Sequence, residues 1–252
     1  MTKLDFIDQP WWYKLIFMLI AANSKIYFLF ARFVYHEASL IACGISYRAK
    51  TEKNPEEYNS IRCMDITNFH WGETAKDSIA NWNMRTQHWL KYYVMMRFMD
   101  RTLPRGSMQL GAIIKTFFVS AFFHGFYIGY YLFFSGLFLL DFGWKLMSGT
   151  ALASSISNKM PEQLSRLLGV ALIQLLLRYL TIPFVVLSWS NCLNFFTATY
   201  ACGHVICLTM IVLGLVLPKA RKDKKKEVEK KPKQTSETAW RIQLSLSDFM
   251  HE

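Results

Sequence analysis

Residues 116–140, TFFVSAFFHGFYIGYYLFFSGLFLL, decide the fold class of this chain. They contain no Lys, Arg, Asp or Glu. A helix needs roughly 20 apolar residues to cross a hydrocarbon core, at about 1.5 Å rise each, and this stretch meets that length. Residues 193–217 meet it too, and residues 164–189 do so with only Arg166 and Arg178 as charges. Each of these segments is expected to span a membrane. Residues 11–47 are apolar but interrupted by Lys14, Asn23, Lys25, Arg32, His36 and Glu37. Two further spans, broken near Asn23 or Arg32, are expected there; one tilted span plus an interfacial piece is the alternative. The expected fold is all-α, a polytopic transmembrane helical bundle.

The polar sequence between these runs reads differently. Residues 48–72, with Pro55 and a cluster of Asn and Glu, read as an aqueous loop. From 73 to 101, Ile79, Trp82, Trp89, Tyr93 and Met96 recur at helical spacing, while Lys76, Arg85, Lys91 and Arg97 occupy other faces. This pattern predicts one amphipathic helix lying at the membrane interface. Pro104 and Gly106 should end it. Pro183 should kink or break its span by removing a backbone donor. No internal repeat is evident. A transporter would line a path across its spans with several polar residues, and the apolar runs contain few.

The formal net charge of +11 is concentrated in residues 219–233, directly after a hydrophobic run. A basic cluster there holds its end of the helix on the cytoplasmic side and is drawn to anionic headgroups. No aromatic residues interleave with those lysines, as single-strand stacking would require, so nucleic acid is not an expected partner. The expected organisation is a membrane-embedded domain over 1–217 and a basic, disordered cytoplasmic tail over 218–252. Cys43, Cys63, Cys192, Cys202 and Cys207 show no metal-ligand spacing, and no metal site or disulfide framework is expected. Met1 to Pro10 lacks the basic start and small-residue cleavage site of a signal peptide.

One residue in the opening stretch is ionisable near neutral pH. His124 is flanked by Ala121, Phe122, Phe123, Gly125 and Phe126. Taking a charged imidazole out of water is costly, so the ring is expected to be neutral and able to accept a proton. Intramembrane ionisable residues are candidate functional sites, with a histidine hydrogen-bonded to a neighbouring helix as the structural alternative. Asn83 is the second candidate, because a carboxamide can support a developing oxyanion or orient a base. Gln87 lies one turn beyond it. Ser120, one turn before His124, can share a helix face with it.

The segments Trp82-Asn83, Trp89-Leu90, Ser120-Ala121-Phe122-Phe123-His124-Gly125 and Gly129-Tyr130-Tyr131 together resemble the membrane-bound O-acyltransferase (MBOAT) family. The nearest branch is the lysophospholipid acyltransferases, with the lysophosphatidylinositol-specific members nearest within it. Leu187-Ser188-Trp189, leading into 193–217, is similar to their final helices. The chain departs from the family pattern in carrying Phe123 where many relatives have Trp. It also has Tyr127-Ile128 in place of His-Pro, and His88 in place of Trp. Family members are about twice as long, so the chain, resembling them over about 11–217, corresponds to their C-terminal half.

The resemblance implies an enzyme of the endoplasmic reticulum membrane that transfers an acyl group from acyl-CoA to a lysophospholipid, without a bound cofactor. It implies His124 and Asn83 as the catalytic pair, their side chains converging on one cavity lined by Phe122, Tyr127 and Tyr130. Trp82, Gln87, Phe123, Tyr127, Tyr130, Arg85 and Arg97 are the expected substrate-binding residues. Lys91, Arg101 and Arg105 join Arg85 and Arg97 as candidates along the path of the CoA phosphates. A truncated, non-catalytic membrane protein that binds lipid or a partner is the alternative.

Overall fold

In the N-terminal segment Lys14, Met18, Ala22, Ile26 and Phe30 are the buried residues, each four positions from the last. That spacing draws one stripe down one face of a helix. The segment accordingly forms a single uninterrupted helix of 32 residues, α1 (Trp11–Ala42), in place of the two spans expected. Asn23, one of the two expected break points, and the neighbouring Lys25 have tertiary contacts instead. Asn23 Oδ1 accepts a 3.2 Å hydrogen bond from Arg178 Nε, and Lys25 Nζ lies over the Phe184 ring at 6.0 Å. Gly44, at φ +73°, closes α1, and the Ile45 N–H donates back to Leu40 O at 3.1 Å.

These features come from a computed structural model that describes residues 6–47, 49–50, 58, 60–100, 102 and 109–220. The described residues fall into two compact units, one of 6–36 with 62–220 and one of 37–61. The second holds the end of α1 and the Tyr47 and Tyr58 rings, 5.5 Å apart. The basic tail expected from 218 lies, beyond Ala220, outside the described residues. So do Arg101 and Arg105.

In the larger unit, α2 (Ile66–Trp71), α3 (Ala75–Ala80) and α4 (Met84–Trp89) are short. Asp65 and Thr74 cap the first two by accepting from the Asn68 and Asp77 N–H groups at 3.0 Å. The chain after α4 widens into a π-helical segment, Leu90–Met95, and ends in a last turn, Met96–Phe98. The single amphipathic helix expected over 73–101 is therefore divided at Asn83, whose φ of +44° no helix can continue through.

The 116–140 run is also divided. α5 (Leu110–His124) stops at Gly125, and α6 (Ile128–Ser148) begins beyond it. Gly125 has φ +120° and ψ −171°, a conformation that residues with a Cβ avoid. α7 (Ala151–Lys159) leads into α8 (Glu162–Val186), which matches the expected span at 164–189. α8 continues through Pro183 and ends instead at Leu187, φ +60°. The expected span at 193–217 is bent by 74° between α9 (Trp189–Ala198) and α10 (Cys202–Val216), where Tyr200 and Ala201 have positive φ. α1 and α8 are each long and apolar enough to cross a membrane, and the bent pair makes a third span if taken as one.

The core forms where α6 meets α8 and α10, around Leu137, Leu140, Ile173, Leu176, Leu180 and Cys207. Gly129 permits the closest backbone approach, since its N–H donates to Leu187 O at 3.0 Å. A Cβ on Gly129 would lie 2.2 Å from Pro183 O and 2.7 Å from Leu187 Cα. Gly129→Ala must push α6 away from the end of α8 and is expected to cost about 1–3 kcal/mol. Thermal unfolding of the purified protein in detergent would read this, and an unchanged midpoint would argue against so close an approach.

The charges inside α8 are accommodated. Arg166 Nε pairs with Glu73 at 3.2 Å. Arg178 donates to Asn23, to the Gln174 side chain and, across 3.1 Å, to His70 Nδ1. Gln174 in turn donates to Phe69 O at 2.7 Å and to Ser78 Oγ at 3.2 Å. A guanidinium has no acceptor, so His70 Nδ1 must accept and the ring carries its proton on Nε2. Burial, and then the Arg178 charge, hold His70 below its ordinary value of 6.5. The fold therefore favours the neutral ring. Its contribution to stability is complete above pH 6.5 and is lost as pH falls towards the folded-state value, because the unfolded chain then binds a proton that the folded chain refuses. The unfolding midpoint should fall on acidification through this range, and His70→Gln should flatten the decline.

Candidate active site

His124 is the last residue of α5, and the turn at Gly125 brings the following helix back against it. Its ring packs on Phe134 and Phe184 at 5.2 Å and on Tyr130 at 5.6 Å. Aromatic rings of α6 and α8 thus border the imidazole, which itself remains exposed. Another side opens on a cleft of about 430 Å³ lined by Arg85, Thr86, Trp89, Leu90, Ser120, Phe123 and His124. One wall is α4 and the start of the π-helical segment, and the other is the last turn of α5. Trp89 and Phe123 meet edge to face at 5.4 Å across them. The volume is in the range of small-ligand sites, and the lining is mostly apolar with few polar groups. Among the described residues no side chain hydrogen-bonds the imidazole, which leaves its nitrogens available to a ligand.

Asn83 stands at the turn into α4, two positions before Arg85, and is not among the residues lining the cleft. Its backbone is held from two sides. The Met84 N–H donates to Cys63 O at 2.7 Å, and the Asp65 N–H donates to Asn81 O at 3.1 Å, so the turn is stitched to the segment before α2. Asn makes no side-chain cap here, and it is the non-glycine residue that tolerates left-handed φ best.

Gln87 completes this support. Its amide nitrogen reaches back to Trp82 O at 2.7 Å and also donates to Ile79 O, while its own N–H donates to Asn83 O at 3.1 Å. The side chain expected to bind substrate is instead bonded to two carbonyls of the chain that leads into the turn. Gln87→Ala removes the side-chain bond to the Trp82 carbonyl, leaves the Ile79 carbonyl only the Trp82 N–H, and loosens Asn83, so if Asn83 takes part in turnover, the rate should fall about tenfold with little change in substrate affinity. Separate kcat and KM values would test this, and a pure KM effect would favour direct contact instead.

The remaining expected residues separate into those at the cleft and those elsewhere. Arg85 and Phe123 line it. Tyr130 touches the far side of the imidazole, and the ring of Tyr127, just before α6, lies 6.2 Å from that of Tyr130. Trp82 packs into an aromatic cluster with Phe30, Phe33 and Phe69 at 5.2–5.8 Å. Phe122 is exposed beside Phe126. Lys91 lies over Tyr92 at 5.5 Å, and Arg97 belongs to the turn after the π-helical segment; neither lines the cleft. The cavity expected to be lined by Phe122, Tyr127 and Tyr130 is lined instead by Ser120, Phe123 and His124 of α5, by Arg85, Thr86 and Trp89 of α4, and by Leu90. Sequence reasoning did not place Thr86, Phe134 or Phe184 at the site. Thr86 sits within the Asn83 motif and was reachable by helical spacing. Phe184 carries no local signal, because only packing of α8 brings it to His124.

Comparison with known proteins agrees with this arrangement of motifs. The family described as MBOAT, membrane-bound O-acyltransferase family, matches residues 1–154. That range holds Asn83, His124 and every residue of the cleft. "Lysophospholipid acyltransferase 6" of Drosophila melanogaster is 28% identical over 75% of this chain and 25% of its own length. "Lysophospholipid acyltransferase 1" of Arabidopsis thaliana is 28% identical over 78% of this chain and 42% of its own. The human "Membrane-bound glycerophospholipid O-acyltransferase 2" is 28% identical over 81% and 37% respectively. The chain thus spans a quarter to about two fifths of the length of these relatives. With the family match covering more than half of its residues, and with apolar helices long enough to cross a bilayer, this integral membrane protein belongs to the membrane-bound O-acyltransferase family.

Proposed function

We propose that the chain transfers a fatty acyl group from acyl-CoA to the free glycerol hydroxyl of a lysophospholipid in the endoplasmic reticulum membrane, with lysophosphatidylinositol as the acceptor. The observation that carries this reading is the position of His124 on a cleft that also holds a cation, Arg85. The relatives' names, which specify lysophospholipid or glycerophospholipid acyltransferases, support the acceptor class.

In this reading the His124 imidazole accepts the proton of the glycerol hydroxyl as its oxygen attacks the thioester carbonyl. The tetrahedral intermediate collapses, the carbon–sulfur bond breaks, and the CoA sulfur leaves with the proton returned by the imidazolium. Asn83 supports the oxyanion or orients the reactants, an effect worth roughly 3 kcal/mol where it has been measured in other enzymes. Arg85 meets the phosphates of the acyl donor. A reacting centre within the bilayer keeps water from the thioester and so limits hydrolysis. Ser120 shares the cleft, yet backbone bonding within its own helix is the commoner role for such a serine, and direct transfer needs no covalent intermediate.

Microsomes containing this chain, supplied with labelled acyl-CoA and a panel of lysophospholipids, test the proposal. Time-dependent formation of diacyl phospholipid, greatest with lysophosphatidylinositol, is the expected result. No transfer above the background of the host membranes would instead favour a lipid-binding protein without catalysis.

A further inference from the structure

Acyl transfer as described makes no use of Lys25. The residue lies well inside α1, far from both ends of a helix long and apolar enough to cross a membrane. A cation in such a segment is costly unless it meets an anion or reaches water. Among the described residues no ion pair or hydrogen bond reaches its ammonium. Instead Nζ lies 5.8 Å from the Phe28 ring centre and 6.0 Å from that of Phe184. Cation–π contacts at that range are worth about 1 kcal/mol, too little to offset removal of an ammonium from water.

The Phe184 ring is also one of the walls of His124, at 5.2 Å. Tyr130 and Phe133 touch the same ring at 4.9 and 5.0 Å. The ammonium of α1 and the imidazole of α5 therefore border one aromatic side chain of α8. We propose that Lys25 is the phosphate-binding residue of the lysophospholipid site, pairing with the phosphodiester while His124 faces the free hydroxyl. This inference rests on the acyl-transfer reading of His124. In a lysophospholipid the phosphate and the reacting hydroxyl are carried by one glycerol. With the ammonium 6.0 Å and the imidazole centroid 5.2 Å from the centre of one phenyl ring, the two groups lie at most about 11 Å apart, within the span of a glycerol phosphate with a hydrogen bond at each end.

The residue type narrows the role further. Lys offers a compact point charge with rotatable donors, whereas Arg reads planar, bidentate geometry. Lys25 thus recognises the phosphate common to the substrate class and leaves headgroup choice to other residues. Arg85 lies on the opposite wall, across the cleft from α5, and serves the acyl donor.

Equilibrium binding to the full chain in lipid nanodiscs tests the proposal without requiring turnover. The probes are lysophosphatidylinositol and a monoacylglycerol with the same acyl chain, which keeps the hydroxyl and lacks the phosphate. Lys25→Gln should weaken lysophosphatidylinositol binding about 10- to 100-fold and leave monoacylglycerol binding unchanged. Lys25→Arg should retain most of the affinity. Lys25→Met, apolar in an apolar helix, substitutes for the Gln variant if that protein does not fold. Equal lysophospholipid affinity with and without Lys25, parallel loss of both ligands, or a wild-type protein indifferent to the phosphate would each overturn the assignment. A protein that binds through Lys25 but transfers no acyl group would reject only the catalytic reading.

Discussion

Replacing His124 with Ala should lower acyl transfer by about 100- to 10,000-fold while leaving lysophospholipid binding nearly intact. The expected size follows from what the imidazole alone can do at its position. It borders the cleft together with Ser120 and Phe123, and aromatic rings from two other helices pack against it. A hydroxyl attacking a thioester must lose its proton, and no other side chain lining the cleft offers a neutral base in place of the imidazole. Removal of the ring also deletes its packing against Phe134 and Phe184, so some loss of stability is expected in the Ala variant. His124→Gln keeps more of that volume and still cannot take the proton. Both variants should therefore be inactive, with Gln unfolding nearer the wild-type temperature. Initial rates with labelled acyl-CoA, measured beside thermal unfolding, separate the two effects. Full activity in His124→Ala would remove the imidazole from the chemistry.

The second large effect is expected at Asn83, where backbone and side chain contribute separately. Loss of an oxyanion donor costs roughly 100- to 1,000-fold in turnover. Ala at φ +44° adds a conformational cost of about 1 kcal/mol that Asn bears more easily. Asn83→Gly removes the carboxamide and relieves the backbone at once. If the carboxamide acts in catalysis, Ala and Gly should be equally slow, and only Ala should unfold at a lower temperature. If Asn83 serves only to make the turn between α3 and α4, Gly should keep the wild-type rate. Asn83 lies just outside the cleft lining, so the Gly variant is the more informative of the pair.

Much of this protein could be read along the chain. Runs of apolar residues are a local property, and residues 164–186 of the expected 164–189 span lie in one membrane-length helix as their composition dictates. The family motifs are local as well. They singled out Asn83 and His124, and the cleft wall carries Trp89, Ser120 and Phe123 from the same segments. Breaks were harder to see. Gly125 stood in an apolar run where helix and turn both satisfy composition, and only its backbone conformation divides α5 from α6. Asn23 was misread in the opposite direction, as a break, because its partner Arg178 lies on a helix distant in sequence.

Sequence by itself determined the solvent of this protein and its family: long apolar helices demand a bilayer, and the family motifs lie along local stretches of the chain. Tertiary structure decided which residues meet. Trp82 and Gln87 hold a turn in place, and the Phe184 ring joins Lys25 to His124. The physical reason is one of range. Hydrophobicity and backbone preference act through neighbouring residues, whereas a site is made by side chains that packing brings together from α1, α4, α5, α6 and α8.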